Sequence, residues 1–370
     1  MSPCFERRML LLVLAAASLS CAAAQPNDPN VMAALLAQRD AIDNWAEFKQ
    51  ANNITGWTSD IPYCEWDKKT IQCNPKTGAL ILDLGCIERD GKQQGFCALK
   101  AKGTLAPQLA NITQLIRLFL NGQSLSGTLP DAWGASGAFP SLLELWVTEN
   151  QLLTGTLPAS WGAAGRFSKL KYLYIGYNAF SGPLPDSWGS PNAFPALNEL
   201  QASHNQLSGT LPVSWGTAGA FPSLQTLNLN INNWTGTLPE SWGGKDKFPA
   251  MQSLTIMQTP ITGALPDSWA GPGAFPNLVD LELATNQMNG TLPASWGSSS
   301  AFQKLEILYL DATSMTGPLP DSWAGTGAFP VLSQLGLSHC NLTGTLPASW
   351  GSQTAFQQLG LLDLESNLLT

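Results

Sequence analysis

Residues 155–181 read GTLPASWGAAGRFSKLKYLYIGYNAFS, and residues 182–208 read GPLPDSWGSPNAFPALNELQASHNQLS. Gly, Leu, Pro, Ser, Trp, Phe and Asn fall at matching offsets in the two stretches. Working outward, Gly-x-Leu-Pro recurs at Gly127, Gly155, Gly182, Gly209, Gly236, Gly263, Gly290, Gly317 and Gly344, with a first step of 28 residues and every later step of 27. A Trp stands six residues after each Gly (Trp133, Trp161, Trp188, Trp215, Trp242, Trp269, Trp296, Trp323, Trp350), and a Phe six after each Trp, from Phe139 to Phe356. The extra residue of the first step lies in Leu152-Leu153.

The second half of each unit reads Leu-x-x-Leu-x-Leu-x-x-Asn-x-Leu, as in Leu170, Leu173, Ile175, Asn178 and Phe180. This is the leucine-rich repeat pattern. Ten units start at Leu115, Leu142, Leu170, Leu197, Leu224, Met251, Leu278, Leu305, Leu332 and Leu359, and a degenerate one starts near Leu80. Strand side chains alternate, so Leu-x-Leu aims two side chains inward, and parallel strands stack about 4.8 Å apart. No unit buries its apolar face alone, so neighbours share one core. The expected fold is a leucine-rich-repeat solenoid, with parallel strands on the concave face and an irregular or short-helical convex side filled by Trp and Phe. The inward Asn is expected to bond the backbone of its own bend and of the adjacent unit. Its column reads Gln123, Asn150, Asn178, Asn205, Asn232, Thr259, Asn286, Thr313, Cys340 and Asn367. Residues 264–278 and 318–332 match at 12 of 15 positions, as do 291–305 and 345–359, so the array reads as duplicated pairs of units.

The whole chain has 370 residues, 44% hydrophobic and only 12% charged. That supports a core and argues against disorder. Net charge is −8, and −9 without residues 1–24, so a nucleic-acid partner is not expected. Arg7 and Arg8, the apolar run Met9–Leu19 and Ala22-Ala23-Ala24 form a secretory signal cleaved after Ala24. No later stretch is apolar enough for a membrane span, so a secreted or cell-surface location is expected. The domains are then 1–24 (signal), 25–110 (cap with the degenerate repeat) and 111–370 (ten units of about 27 residues, the last incomplete). The chain stops at Thr370 inside a unit, as a fragment of a longer protein would.

Fourteen Trp beside two His indicate a scaffold more than a catalytic pocket. His204 and His339 share one column but stand five units apart, roughly 24 Å at one strand spacing per unit, and cannot share a metal. No Ser-His-Asp set, phosphate-binding loop or kinase signature is legible. No enzyme activity, catalytic residue, metal or cofactor is expected.

Residues 25–110 break the lattice. Val31 to Gln50 reads as one amphipathic helix, followed by Trp57, Pro62-Tyr63-Cys64-Glu65-Trp66, Cys73, Cys86 and Cys97. This segment resembles the N-terminal cap of plant-type leucine-rich-repeat proteins, and Leu125 to Pro130 resembles the plant-type repeat. The Gly-Thr-Leu-Pro-x-x-Trp units also resemble those of trypanosomatid surface antigens. The 27-residue unit and the wide Cys64–Cys73 spacing depart from the plant pattern, as a green-algal branch would, so plant receptor roles carry over poorly. With Cys4 and Cys21 removed in the signal, the four cap cysteines allow three pairings, of which local order favours Cys64–Cys73 and Cys86–Cys97. Cys340 is expected to be a buried thiol. The sequons at Asn53, Asn111, Asn233, Asn289 and Asn341 are glycan candidates. Asn111, Asn233 and Asn341 read as turn positions, and Asn289 adjoins the structural Gly290.

The residue between the inner Leu positions projects onto the concave face. That column opens with Phe119, Trp146 and Tyr174, flanked by Tyr172 and Tyr177. An exposed aromatic row suits sugar stacking or protein anchoring; cross-strand packing is the plainer alternative. Toward the C-terminus Asp280, Glu282, Asp311, Asp363 and Glu365 make the face acidic, which suits a cationic partner or Ca²⁺, with a solvated acidic face as the plainer reading. The expected function is non-catalytic extracellular recognition of a protein, peptide or glycan, with a structural cell-wall or coat glycoprotein as the alternative.

Overall fold

The structure is a computed structural model and describes residues 28–89 and 92–370. The expected signal peptide lies outside the described residues. The repeated Leu-x-Leu segments form a twelve-stranded sheet. Its strands are β1 (Ile71–Cys73), β2 (Leu80–Asp83), β3 (Leu115–Phe119), β4 (Glu144–Trp146), β5 (Tyr172–Tyr174) and β6 (Glu199–Gln201), continued by β7 (Thr226–Asn228), β8 (Ser253–Thr255), β9 (Asp280–Glu282), β10 (Ile307–Tyr309), β11 (Gln334–Gly336) and β12 (Leu361–Asp363). β1 pairs with β2 antiparallel and all later neighbours are parallel, with equivalent residues in register, as in Leu173 beside Leu200. This is the expected solenoid.

Three contacts repeat along it. Each lattice Trp is buried, and from Trp161 onward its indole N–H donates to the proline carbonyl of the preceding Gly-x-Leu-Pro, as in Trp188 to Pro158 at 3.0 Å and Trp215 to Pro185 at 3.1 Å. Trp161 and Trp188 lie parallel, 6.1 Å between centroids. Each Trp closes a short 3-10 turn that follows Pro, such as Asp186–Gly189. The inward Asn forms the second contact. Asn178 Nδ2 donates to the Ile175 carbonyl in its own unit and to the Val147 carbonyl one unit back, while its Oδ1 accepts from the Asn150 N–H. Cys340 in this column is a buried thiol that donates to the Leu310 carbonyl.

The third contact was not foreseen. Short strands after the Asn column pair into further parallel sheets, among them Ser181–Gly182, Gln206–Thr210 and Asn233–Thr235. Here Gly236 has φ +74°, and a Cβ would stand 2.9 Å from Thr210 Cγ2. A threonine methyl of one unit thus occupies the space over the next unit's glycine here, as at Gly155, Gly182, Gly263 and Gly317, whereas Pro or Ala faces Gly209, Gly290 and Gly344.

The cap departs from the single expected helix. It holds α1 (Pro29–Asp40) and α2 (Trp45–Ala51). Between them Ile42 bridges Gly103, Asp43 N–H donates to the Lys102 carbonyl, and Thr104 N–H donates to the Ala41 carbonyl. These long-range bonds draw the backbone out of the helix, and Gly103 admits the approach because a Cβ there would meet Ala41 O at 2.0 Å. Cys64 pairs with Cys73 and Cys86 with Cys97. Trp57 stacks on Trp66 at 4.9 Å, covering the end of the core.

Trp215→Ala should lower the unfolding free energy by roughly 3–5 kcal/mol, the cost of deleting a buried Trp side chain, as read from urea titration. Trp146→Ala should cost much less. Equal losses would contradict the division into lattice and surface tryptophans.

Candidate functional site

The concave face is built by two outward columns. One runs Asp83, Phe119, Trp146, Tyr174, Gln201, Asn228, Thr255, Glu282, Tyr309, Gly336 and Asp363, and the other includes Arg117, Glu144, Tyr172, Glu199, Ser253 and Asp280. At the cap end the aromatics meet. Phe119 and Trp146 lie edge to face at 5.3 Å, and Trp146 and Tyr174 at 4.6 Å. Phe119 and Trp146 line a cleft of about 300 Å³ with Asp83, Gly85, Gln94, Gly95 and Asn121.

The structure divides the expected aromatic residues. Phe119, Trp146 and Tyr172 are half-buried and Tyr177 is 49% exposed. Tyr174 is not the open contact expected: it is 7% exposed, and its hydroxyl donates to Glu199 Oε2 at 2.8 Å. Burial, reinforced by the Glu199 charge, raises its pKa far above the usual phenol range. Tyr177 stacks on His204 at 4.0 Å and holds a left-handed φ of 56°. Trp146 Nε1 is buried without a hydrogen-bond partner.

Asp83, Gln94 and Asn121 were missed. Asp83 stands beside Phe119 in register, so extending the outward column one unit back into the degenerate repeat would have found it. Gln94 and Asn121 lie outside that column and carry no such signal. Burial pushes the Asp83 carboxyl up to about 6, against the opposing hydrogen bond from Gly85 N–H. The cleft therefore joins two aromatic faces, a carboxyl and side-chain amides, which can hold a partly apolar ligand bearing hydroxyl or amide groups.

Elsewhere on the face the polar groups divide sharply. Glu144 pairs with Arg117 at 2.8 Å, and Glu199 accepts from Tyr174 and Gln201. Asp280 and Glu282 are half-buried, contrary to a solvated acidic face. Burial lifts Asp280 to about 6 and Glu282 to about 7, the latter helped by the Asp280 charge. All five sequon asparagines are exposed. Asn233, Asn289 and Asn341 lie on the short strands of the further sheets, so Asn233 and Asn341 are strand positions, not the expected turn positions.

The Leucine Rich Repeat family matches residues 169–191 and 331–353. No curated protein matches the chain. Among solved structures, the ectodomain of the Arabidopsis thaliana receptor kinase GASSHO1/SCHENGEN3, in complex with CASPARIAN STRIP INTEGRITY FACTOR 2, is 25% identical over 78% of this chain and 33% of that one, with TM-score 0.57. The Arabidopsis HAESA ectodomain, in complex with an IDA peptide hormone, is 23% identical over 93% and 54%, with TM-score 0.63. A plant ice-binding protein is 20% identical over 94% and 99%, with TM-score 0.66. The chain thus spans about one third to one half the length of the two receptor ectodomains. The chain carries leucine-rich repeats and shares its capped solenoid fold with plant receptor ectodomains.

Proposed function

We propose that the chain is a non-catalytic extracellular recognition module that binds a peptide, protein or glycan on its concave face. One observation carries this reading: the cleft lined by Phe119 and Trp146, which also holds Asp83 and two amide side chains. Two receptor ectodomains of the same fold held with ligands support it. Among the described residues no helix is long and apolar enough to cross a membrane. Glycans at the five sequons would leave this face bare, since none of those asparagines lies on β1–β12. The structural-coat alternative draws on the five sequons, the acidic net charge and the duplicated units. A screen of extracellular peptides and glycans should yield a ligand whose affinity falls at least tenfold with both Phe119→Ala and Trp146→Ala, as expected of anchoring aromatics. Unchanged binding in both variants contradicts the proposal.

A second reading has an observation of its own. The residues on either side of the glycine of Gly-x-Leu-Pro are Ser or Thr at fourteen of eighteen positions, and none is charged. Adjacent units register Thr210 beside Thr235 and Thr291 beside Thr316. Thr262 and Thr316 hydroxyls donate to the Gly236 and Gly290 carbonyls, which pins their rotamers. A rigid, uncharged ladder of hydroxyls and methyls about 4.8 Å apart can meet a periodic surface such as ice. Ice grown with the chain is then expected to facet, and Thr156→Lys with Thr210→Lys to abolish faceting. Smooth discs with the unsubstituted chain, its Asn-linked sugars removed, contradict this reading.

A further inference from the structure

The concave face carries a second polar cluster, away from the aromatic cleft. On β8, β9 and β10, Ser253 registers with Asp280, Thr255 with Glu282, and Glu282 with Tyr309. Asp280 Oδ2 accepts from Ser253 Oγ at 3.0 Å, but its Oδ1 is buried without a partner. Thr255 is 8% exposed, and its Oγ1 is also buried without a partner, beside Glu282. Among the described residues no Lys or Arg pairs with either carboxyl; the ion pairs found are Arg39–Asp40 and Arg117–Glu144. The contrast with the cap end is informative, because there the same columns satisfy Glu144 and Glu199 internally. Partly desolvated carboxylates without a counter-charge are unfavourable, and supplying a cation relieves them.

The surroundings add acid and no base. Tyr309 and Asp311 flank the pair on the β10 side, and Asp311 Oδ1 already accepts from Ser338 N–H and Oγ at 2.8 Å. β8 presents Ser253 and Thr255, β7 presents Asn228, and β11 presents Gln334, which bonds the Tyr309 hydroxyl. Gly336 leaves room for Tyr309 and Asp311, since a Cβ there would meet Asp311 Oδ2 at 2.1 Å. Asp280 and Glu282 sit two residues apart on one strand, roughly 6.6 Å between Cα atoms.

We propose that Asp280, Glu282 and Thr255 Oγ1 receive an arginine side chain of a peptide partner. A guanidinium offers five donors in a planar fork and can reach two carboxylates and a hydroxyl together, whereas an ammonium is a compact, strongly hydrated charge. Among the described residues no group of three or more His, Cys, Asp or Glu could hold a metal ion, so a peptide cation is favoured over Ca²⁺. The site deepens the concave-face reading above, and it does not depend on the aromatic cleft. Binding would favour the charged carboxylates, so it should strengthen as pH rises through 6 to 7 and release protons when measured at pH 6.5.

The test is calorimetry of the full chain with hexa-arginine, hexa-lysine and hexa-glutamine peptides at pH 5 and pH 8, in buffers of different ionisation enthalpy. Hexa-arginine should bind at least tenfold tighter at pH 8 than at pH 5 and tighter than hexa-lysine, and hexa-glutamine should not bind. Asp280→Asn with Glu282→Gln, an isosteric pair, should weaken binding at least tenfold at pH 8 and abolish the proton release. Trp146→Ala should leave hexa-arginine binding within twofold. Undiminished binding by the isosteric pair, equal affinity for hexa-lysine, or displacement of hexa-arginine by millimolar Ca²⁺ overturns the proposal. Such a result leaves the aromatic cleft standing if a Trp146-dependent ligand is found, and the two failures are thereby distinguished.

Discussion

The bond from each lattice indole N–H to a proline carbonyl one unit back is the contact on which the rest of the solenoid depends. It recurs from Trp161 to Trp350 at 2.9–3.2 Å. It binds units together on the convex side, as the inward Asn does behind the concave strands. It also satisfies the one polar group that a buried Trp brings into an apolar interior. Because the donor and acceptor belong to different units, the bond requires both Gly-x-Leu-Pro and Trp to keep their spacing. The 27-residue period is the sequence's record of that requirement.

The lattice, the Asn column and both disulfides were legible because each is a repeated or local signal. Other features were not, and the reasons are physical. Nine residues just before the inward Asn column, Glu149 through Ser366, hold φ between 52° and 60° although none is glycine. The left-handed conformation costs an L-residue roughly 1–2 kcal/mol; the Asn bonds and the buried strands hold it in place. Only the first unit places glycine there, at Gly122. The break between α1 and α2 was hidden because it is imposed by Lys102–Thr104, about 60 residues downstream.

The candidate sites were legible in column but not in depth. Alternation put Tyr174 and Trp146 on one face, yet the Tyr174 hydroxyl is bonded to Glu199 while Trp146 Nε1 has no partner. Likewise Asp280 and Glu282 were visible as an acidic stretch, while their burial depends on packing against Ser253, Thr255 and Tyr309 on adjacent strands. A column specifies which side chains share a face; only the neighbours decide whether a polar atom is satisfied. The unsatisfied ones are where the two binding proposals sit.

The central claim is that the lattice indoles are scaffold and Trp146 is not. It is tested most directly by the indole ¹⁵N–¹H resonances of the isotopically labelled chain, assigned by single Trp→Phe variants. The nine lattice indole protons should form a downfield, slowly exchanging group, as hydrogen-bonded donors do, while the Trp146 proton resonates upfield of it. A Trp146 resonance inside that group, or lattice protons that exchange freely, would contradict the account.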